Sequence, residues 1–150
     1  MDATKYEKLT AFCAYQERCI FDVKEKAKKI FIEKEAMQEY IARLEEDKFL
    51  SEERYAKDFI KAKVKRGWGE QKIKMAFGRK RVSATVYTPF LKEINQDGVV
   101  EKITELATRK LRSIKEENAQ KRKQKLIAFL RSRGYAFDKI LLGLEAMGKE

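Results

Sequence analysis

Two runs of lysine and arginine carry most of the chemistry this sequence offers. Between Lys61 and Arg81 stand nine bases (Lys61, Lys63, Lys65, Arg66, Lys72, Lys74, Arg79, Lys80, Arg81) against Glu70 alone. Between Arg109 and Arg133 stand ten bases against Glu116 and Glu117. From Glu35 to Glu53 the balance reverses, with seven acids against Arg43 and Lys48. Ammonium and guanidinium groups neutralise phosphates and release condensed counterions. Bases on two separate helices make a stripe, the usual electrostatic footprint of nucleic-acid binding. The 150-residue chain has 35 Lys and Arg against 24 Asp and Glu, a net charge of +11. That excess points to a polyanion, nucleic acid alone or within a nucleoprotein complex. An acidic protein or an anionic membrane surface is the alternative partner, and a solvated basic face the plainest reading.

Bond-making chemistry has few candidates. With no histidine, imidazole acid/base catalysis, a Ser-His-Asp triad and histidine metal ligation are excluded. Cys13 and Cys19 lie six apart without a CxxC, a spacing that turns them to different faces of a helix, so buried thiols are expected. No GxxxxGK[ST] or GxGxxG loop is present, and no carboxylate pair has a recognisable metal or hydrolase spacing. The expectation is a protein that is not an enzyme and has no cofactor and no metal. No apolar run reaches the roughly 18 residues of a membrane span, and the start, Met1-Asp2-Ala3-Thr4-Lys5-Tyr6, has no apolar signal core. No membrane association and a cytoplasmic location are therefore expected.

The elements that position these cations read as helices. Apolar residues recur at steps of three and four: Leu9, Phe12, Cys13 and Ile20; then Val23, Ala27 and Ile30; then Met37, Tyr40, Ile41 and Leu44. A break is expected near Phe21-Asp22, with Asp22 as an N-cap and Glu25 at capping-box spacing. Ser51 followed by Glu52 and Glu53 starts a helix that Gly67 ends. Ile73, Ala76 and Phe77 mark the next, and Val82-Ser83 breaks it. Val86 to Ile94 form another stripe, where Pro89 predicts a kink or a start near Thr88. Asn95-Gln96-Asp97-Gly98 reads as a turn before a long helix from Val99 to Leu111. Leu126 to Leu130 and Ile140 to Leu144 complete nine helical segments with no convincing strand. Trp68, in Lys65-Arg66-Gly67-Trp68-Gly69, is expected to anchor an interhelix turn; a base-stacking role is the alternative.

An internal repeat organises these segments. A shift of 53 residues sets Ile73 on Leu126, Phe77 on Leu130, Val82 on Tyr135 and Leu91 on Leu144. A shift of 50 the other way sets Ile73 on Val23, Phe77 on Ala27, Val82 on Ile32 and Leu91 on Ile41. The break points coincide as well as the apolar register. Three units of about 50 residues, each of three helices, follow. Such an array exposes a long surface suited to tracking another extended object.

The stretch Phe49-Leu50-Ser51-Glu52-Glu53-Arg54-Tyr55-Ala56-Lys57-Asp58-Phe59, with Lys63-Val64-Lys65-Arg66-Gly67-Trp68-Gly69-Glu70-Gln71-Lys72-Ile73, resembles the central signature of the RecX family, bacterial regulators of the RecA recombinase. Lys125 to Tyr135 is similar to the family's last helix pair, which ends in Arg-Gly-Phe/Tyr. The resemblance runs from about Leu9 to Met147. It departs from the family at Arg81, where many members have the glycine that Gly134 supplies, at the first unit's missing turn glycine near Phe31, and at Pro89.

The resemblance implies an all-α fold of three tandem three-helix repeats in an elongated, curved array, with units at 1–48, 49–96 and 97–150. It implies binding in the groove of the RecA–single-stranded DNA filament. It also implies lowered recombinase, ATPase and coprotease activity in DNA repair and the SOS response. The partners expected are the RecA filament and single- and double-stranded DNA, met by a monomer. The residues expected at filament or DNA are Lys61, Lys65, Arg66, Lys72, Arg79 and Lys80 of the middle unit and Arg122, Lys123, Lys125, Arg131 and Arg133 of the third. Their role is phosphate neutralisation and ion pairing. A general DNA-binding helical protein, or a helical adaptor for an acidic partner, remains the alternative.

Overall fold

A computed structural model describes residues 1–148. Among the described residues the chain forms nine α-helices: α1 (Ala3–Tyr15), α2 (Ile20–Lys29), α3 (Met37–Glu46), α4 (Glu52–Lys65), α5 (Glu70–Arg79), α6 (Ala84–Leu91), α7 (Gln96–Leu111), α8 (Ala119–Ser132) and α9 (Phe137–Gly148). A short 3₁₀ turn, Lys34–Ala36, precedes α3, and the described residues contain no strand. The all-α expectation and its repeated three-helix plan hold.

Local chemistry sets the helix ends. The Asp2 carboxylate accepts from the Lys5 N–H (3.1 Å) and starts α1. The Ser51 hydroxyl accepts from the Arg54 N–H (3.2 Å) and starts α4, where Glu52 and Glu53 meet the positive end of the helix. Three boundaries differ from expectation. The first break falls at 16–19, and Asp22 occupies the third position of α2, accepting from the Cys19 N–H (3.5 Å). Asn95 is a cap and not part of a free turn: its side chain accepts from Asp97 and Gly98, so α7 already begins at Gln96. Helix α6 begins at Ala84 and runs through Pro89, ending two residues later at Leu91. So close to the helix end, the proline forfeits one backbone bond in a turn that stops anyway.

Contacts divide the chain into two compact units. The first comprises Met1–Phe59 with Phe77–Pro89, the second Ile60–Ala76 with the chain from Phe90 onward. In the first, Leu9, Cys13, Val23, Ala27, Ile32, Met37, Tyr40, Ile41, Leu44 and Leu50 form a buried cluster. A run of rings joins Tyr55, Phe59, Phe77 and Tyr87, with successive centroids 5.8, 5.0 and 4.7 Å apart. Both cysteines are free and buried, and burial pushes each thiol up to about 11. The second unit packs Ile103, Leu106, Ala107, Leu126, Leu130, Tyr135 and Ile140. Gly143 lets α9 press onto Ile103 of α7, and the Thr104 hydroxyl donates to the Gly143 carbonyl (2.8 Å).

The repeat is visible in the backbone itself. Phe31, Arg81 and Gly134 occupy the left-handed region, at φ of 64°, 56° and 96°. The next residue in each case, Ile32, Val82 or Tyr135, donates back to the carbonyl of Ala27, Phe77 or Leu130 (2.9, 3.0 and 3.3 Å). These positions are related by the shifts of 50 and 53, so the turn after the second helix is built three times.

Candidate nucleic-acid interface

The second unit brings the Lys61–Lys74 part of the first basic run together with the second run. Helix α4 ends at Gly67, whose φ of 85° lets the Trp68 N–H return to the Lys63 carbonyl (2.9 Å). The chain then meets the α8–α9 turn backbone to backbone. Gly69 donates to the Arg133 carbonyl (2.7 Å) and Gln71 to the Gly134 carbonyl (3.1 Å). A Cβ at Gly69 would strike the Gly134 carbonyl, and one at Gly134 would meet the Lys72 backbone nitrogen at 2.5 Å. Two glycines are therefore required for the approach. The Arg133 guanidinium fastens it, donating to the carbonyls of Gly67 (3.0 Å) and Arg66 (2.6 Å).

Beside this junction lies an open groove of about 370 Å³. Arg66, Arg109, Lys110 and Arg133 line it with Ser113, Leu106 and Phe129, and no carboxylate does. The Lys110 ammonium sits 5.0 Å from the centre of the Phe129 ring. Glu105 steadies Arg109 from one turn away (2.8 Å). Three guanidinium groups and one ammonium over an apolar floor suit a phosphodiester chain, whose phosphates take the charges while a sugar or base covers the ring.

The expected contact residues are distributed as follows. Arg66 and Arg133 line the groove, although much of Arg133 is committed to the junction. Lys61 and Lys65 are exposed one turn apart on α4, and with Arg66, Lys123 and Arg79 they make no ion pair among the described residues. Lys72 lies over the Trp68 ring at 4.4 Å, and Lys63 lies over it at 4.6 Å. Burial, followed by the charges of Arg66 and Lys72, holds the Lys63 ammonium below its usual range. Trp68 is half-buried and lines a separate cavity of about 200 Å³ with Val64, Ile94, Val99 and Tyr135. That setting agrees with the anchoring role.

In the α7–α8 segment, Arg122 donates to the carbonyls of Glu116 and Glu117, and Lys125 pairs with Glu116 at 3.8 Å. Arg131 lies 5.5 Å from the Phe137 ring. Arg79 and Lys80 belong to the first unit, where Lys80 pairs with Asp22 (2.6 Å) and lies over Phe21. The groove adds Arg109, Lys110, Ser113 and Phe129, which charge counting alone did not single out. Arg109 and Lys110 head the second basic run, but nothing in the sequence sets them beside Arg66. Among the described residues no cluster of acids, cysteines or histidines is placed to hold a metal, and no helix is long and apolar enough to cross a membrane.

Residues 97–141 match the family model of the RecX third three-helix domain. The chain is 35% identical over 100 residues to the regulatory protein RecX of Vibrio parahaemolyticus, an alignment covering 66% of this chain and 63% of the relative. It is 34% identical over 108 residues to the regulatory protein RecX of Clostridium perfringens strain 13, covering 71% and 50%. The chain thus spans half to somewhat under two thirds of the length of these curated relatives. Its fold is that of the crystal structure of RecX from Lactobacillus salivarius, with a TM-score of 0.88 at 18% identity over 99% of this chain and 97% of that one. A second crystal structure, of a regulatory protein RecX, gives 0.87 at 19% identity over 99% of this chain and 73% of that one. By its matched third domain and its relatives, a third identical over some hundred residues, the chain is similar to the regulatory proteins RecX, and it shares the fold of the two RecX crystal structures.

Proposed function

We propose that this chain is a negative regulator of RecA that binds the recombinase–single-stranded DNA filament and lowers its recombinase, ATPase and coprotease activity in DNA repair and the SOS response. The observation that carries the reading is the groove, where cations from both basic runs converge without a lining carboxylate. Its relatives are named regulatory proteins, which favours action by binding over chemistry of its own. A phosphate chain held by Arg66, Arg109, Lys110 and Arg133 gains charge-assisted hydrogen bonds and releases counterions. Lys61, Lys65, Lys72, Lys123, Lys125 and Arg131 extend the contact within the same unit. Arg79 and Lys80 contribute from the first unit, and Arg122 holds the α7–α8 segment in place. The chain works as a cytoplasmic monomer of three tandem three-helix repeats, 1–48, 49–96 and 97–150.

The test is single-stranded-DNA-dependent ATP hydrolysis by the host recombinase with this protein titrated in, and bare-DNA binding measured at the same salt. Inhibition at protein levels far below those that coat the DNA is the expected result. Inhibition only at saturation of the DNA would indicate simple competition by a general DNA-binding protein. No inhibition, with a pull-down indifferent to nuclease, would indicate an adaptor for an acidic protein. Reversing charge at Arg66, Arg109 and Lys110 together should abolish inhibition while leaving the melting temperature near that of the parent.

A further inference from the structure

Phe31 and Tyr15 are equally exposed aromatic residues, and of the two only Phe31 has a left-handed backbone. The Phe31 ring is 83% exposed, although the turn it occupies is well ordered by hydrogen bonds on both sides. Its N–H donates to Lys28 (3.2 Å), and its carbonyl accepts from the Lys5 ammonium (2.9 Å). Its backbone is left-handed at φ 64°. For a bulky residue that conformation costs about 1–2 kcal/mol relative to glycine. The ring gains no burial to offset the cost. The third repeat makes the same turn with Gly134, so the fold itself does not call for a side chain there. A ring kept exposed at a position that glycine fills elsewhere in the same chain is open to a contact outside the fold.

The surroundings indicate what that is. Lys28, Lys29 and Lys34 lie within three residues of Phe31, and Lys5 is fixed at its carbonyl. The acids nearby are Glu25, which is paired with Lys28 (3.1 Å), and the exposed Glu33 and Glu35. Lys29 and Lys34 are exposed and make no ion pair among the described residues. No other exposed large apolar residue lies within fifteen residues of Phe31 along the chain. An exposed ring flanked by the ammonium groups of Lys29 and Lys34 is an arrangement that can stack an unpaired base while cations hold its phosphates.

We propose that Phe31 is a base-stacking contact for single-stranded nucleic acid. The contact lies in the first unit, uses none of the groove residues and goes beyond the regulator reading, so either can fail without the other. The probe is a labelled oligodeoxythymidylate with no recombinase present, measured by anisotropy at fixed salt, beside a duplex of the same length. Phe31→Leu keeps the strain and the apolar bulk but removes the ring. It should raise the single-strand Kd roughly 5- to 150-fold, the range for one stacked base, and leave duplex binding unchanged. Phe31→Trp should bind the oligonucleotide as tightly as the parent, and its added fluorescence should be quenched on binding. Phe31→Gly should bind as weakly as Phe31→Leu yet melt above the parent, which separates lost contact from lost folding. Parent-like oligonucleotide affinity in Phe31→Leu would overturn the proposal. So would equal losses on single strand and duplex, or an absence of single-strand binding by the parent.

Discussion

The turns at Phe31, Arg81 and Gly134 trace one backbone path with three different residues, and the neighbours of each turn account for the choice. The α8–α9 turn is pressed against the α4–α5 turn so closely that a Cβ at Gly134 would meet the Lys72 backbone at 2.5 Å. Glycine is imposed there twice, by packing and by the positive φ. The α2–α3 and α5–α6 turns leave Phe31 and Arg81 exposed, so only φ argues for glycine and side chains are tolerated at a conformational cost. The Arg81 guanidinium lies 5.8 Å from the Phe21 ring, a contact that recovers part of that cost. Equivalent positions in a repeat therefore share geometry, and their residue types diverge with their surroundings.

Substitutions at the two kinds of turn should move stability in opposite directions. The largest effect is expected at the docked junction. Gly134→Ala adds a Cβ where neither space nor φ allows one and should cost about 3 kcal/mol. Gly69→Ala, which aims a methyl at the Gly134 carbonyl, should cost about as much. Urea melts of both variants read this directly, and a parent-like midpoint would mean that the two turns do not dock.

Arg133 comes next. Arg133→Lys keeps the charge but loses the two-pronged bond to the carbonyls of Gly67 and Arg66. Partial exposure of the site tempers the loss to about 1 kcal/mol. An unchanged melting temperature would leave Arg133 with an electrostatic role alone.

At the open turns the sign reverses. Arg81→Gly and Phe31→Gly relieve left-handed strain but loosen the unfolded chain, for a net gain of about 0.5–1 kcal/mol each. Arg81→Gly should gain less, because it also gives up the contact with Phe21. Destabilisation by both would erase the contrast between open and docked turns.

The smallest effect belongs to the first unit's surface triad. The Tyr6 hydroxyl donates to Asp47 (2.6 Å), and the Arg43 guanidinium pairs with the same carboxylate (2.9 Å). These bonds, Tyr6's foremost, hold the Asp47 carboxyl below its usual range. A lowered folded-state value adds stability above the unfolded value and loses it as pH falls through the folded one. The parent should therefore lose melting temperature more steeply than Asp47→Asn as pH drops below about 4. Parallel profiles would show that the triad adds nothing.

Periodicity alone located most of these elements, because an amphipathic helix writes its buried face at every third and fourth residue. Boundaries set by a side-chain cap were less legible. Asn95 reads as part of a turn until its carboxamide is seen to accept from Asp97 and Gly98, and Asp22 reads as a cap until Cys19 is found three residues before it. Pro89 looked disruptive because sequence spacing does not show how near a helix is to its end.

The sequence by itself determined the all-helical plan, the threefold repeat with its registers of 50 and 53, the two cationic runs and the family they resemble. All of these are carried by local pattern and composition. The tertiary structure alone decided which cations meet. Arg66 and Arg133 stand far apart along the chain, yet the Arg133 guanidinium reaches the Arg66 carbonyl and both line one groove with Arg109 and Lys110. It decided too that Arg133 spends its hydrogen bonds on the fold and that Phe31 keeps its ring in solvent. Such assignments depend on what lies across a contact, and a one-dimensional pattern records the residue but not its neighbour.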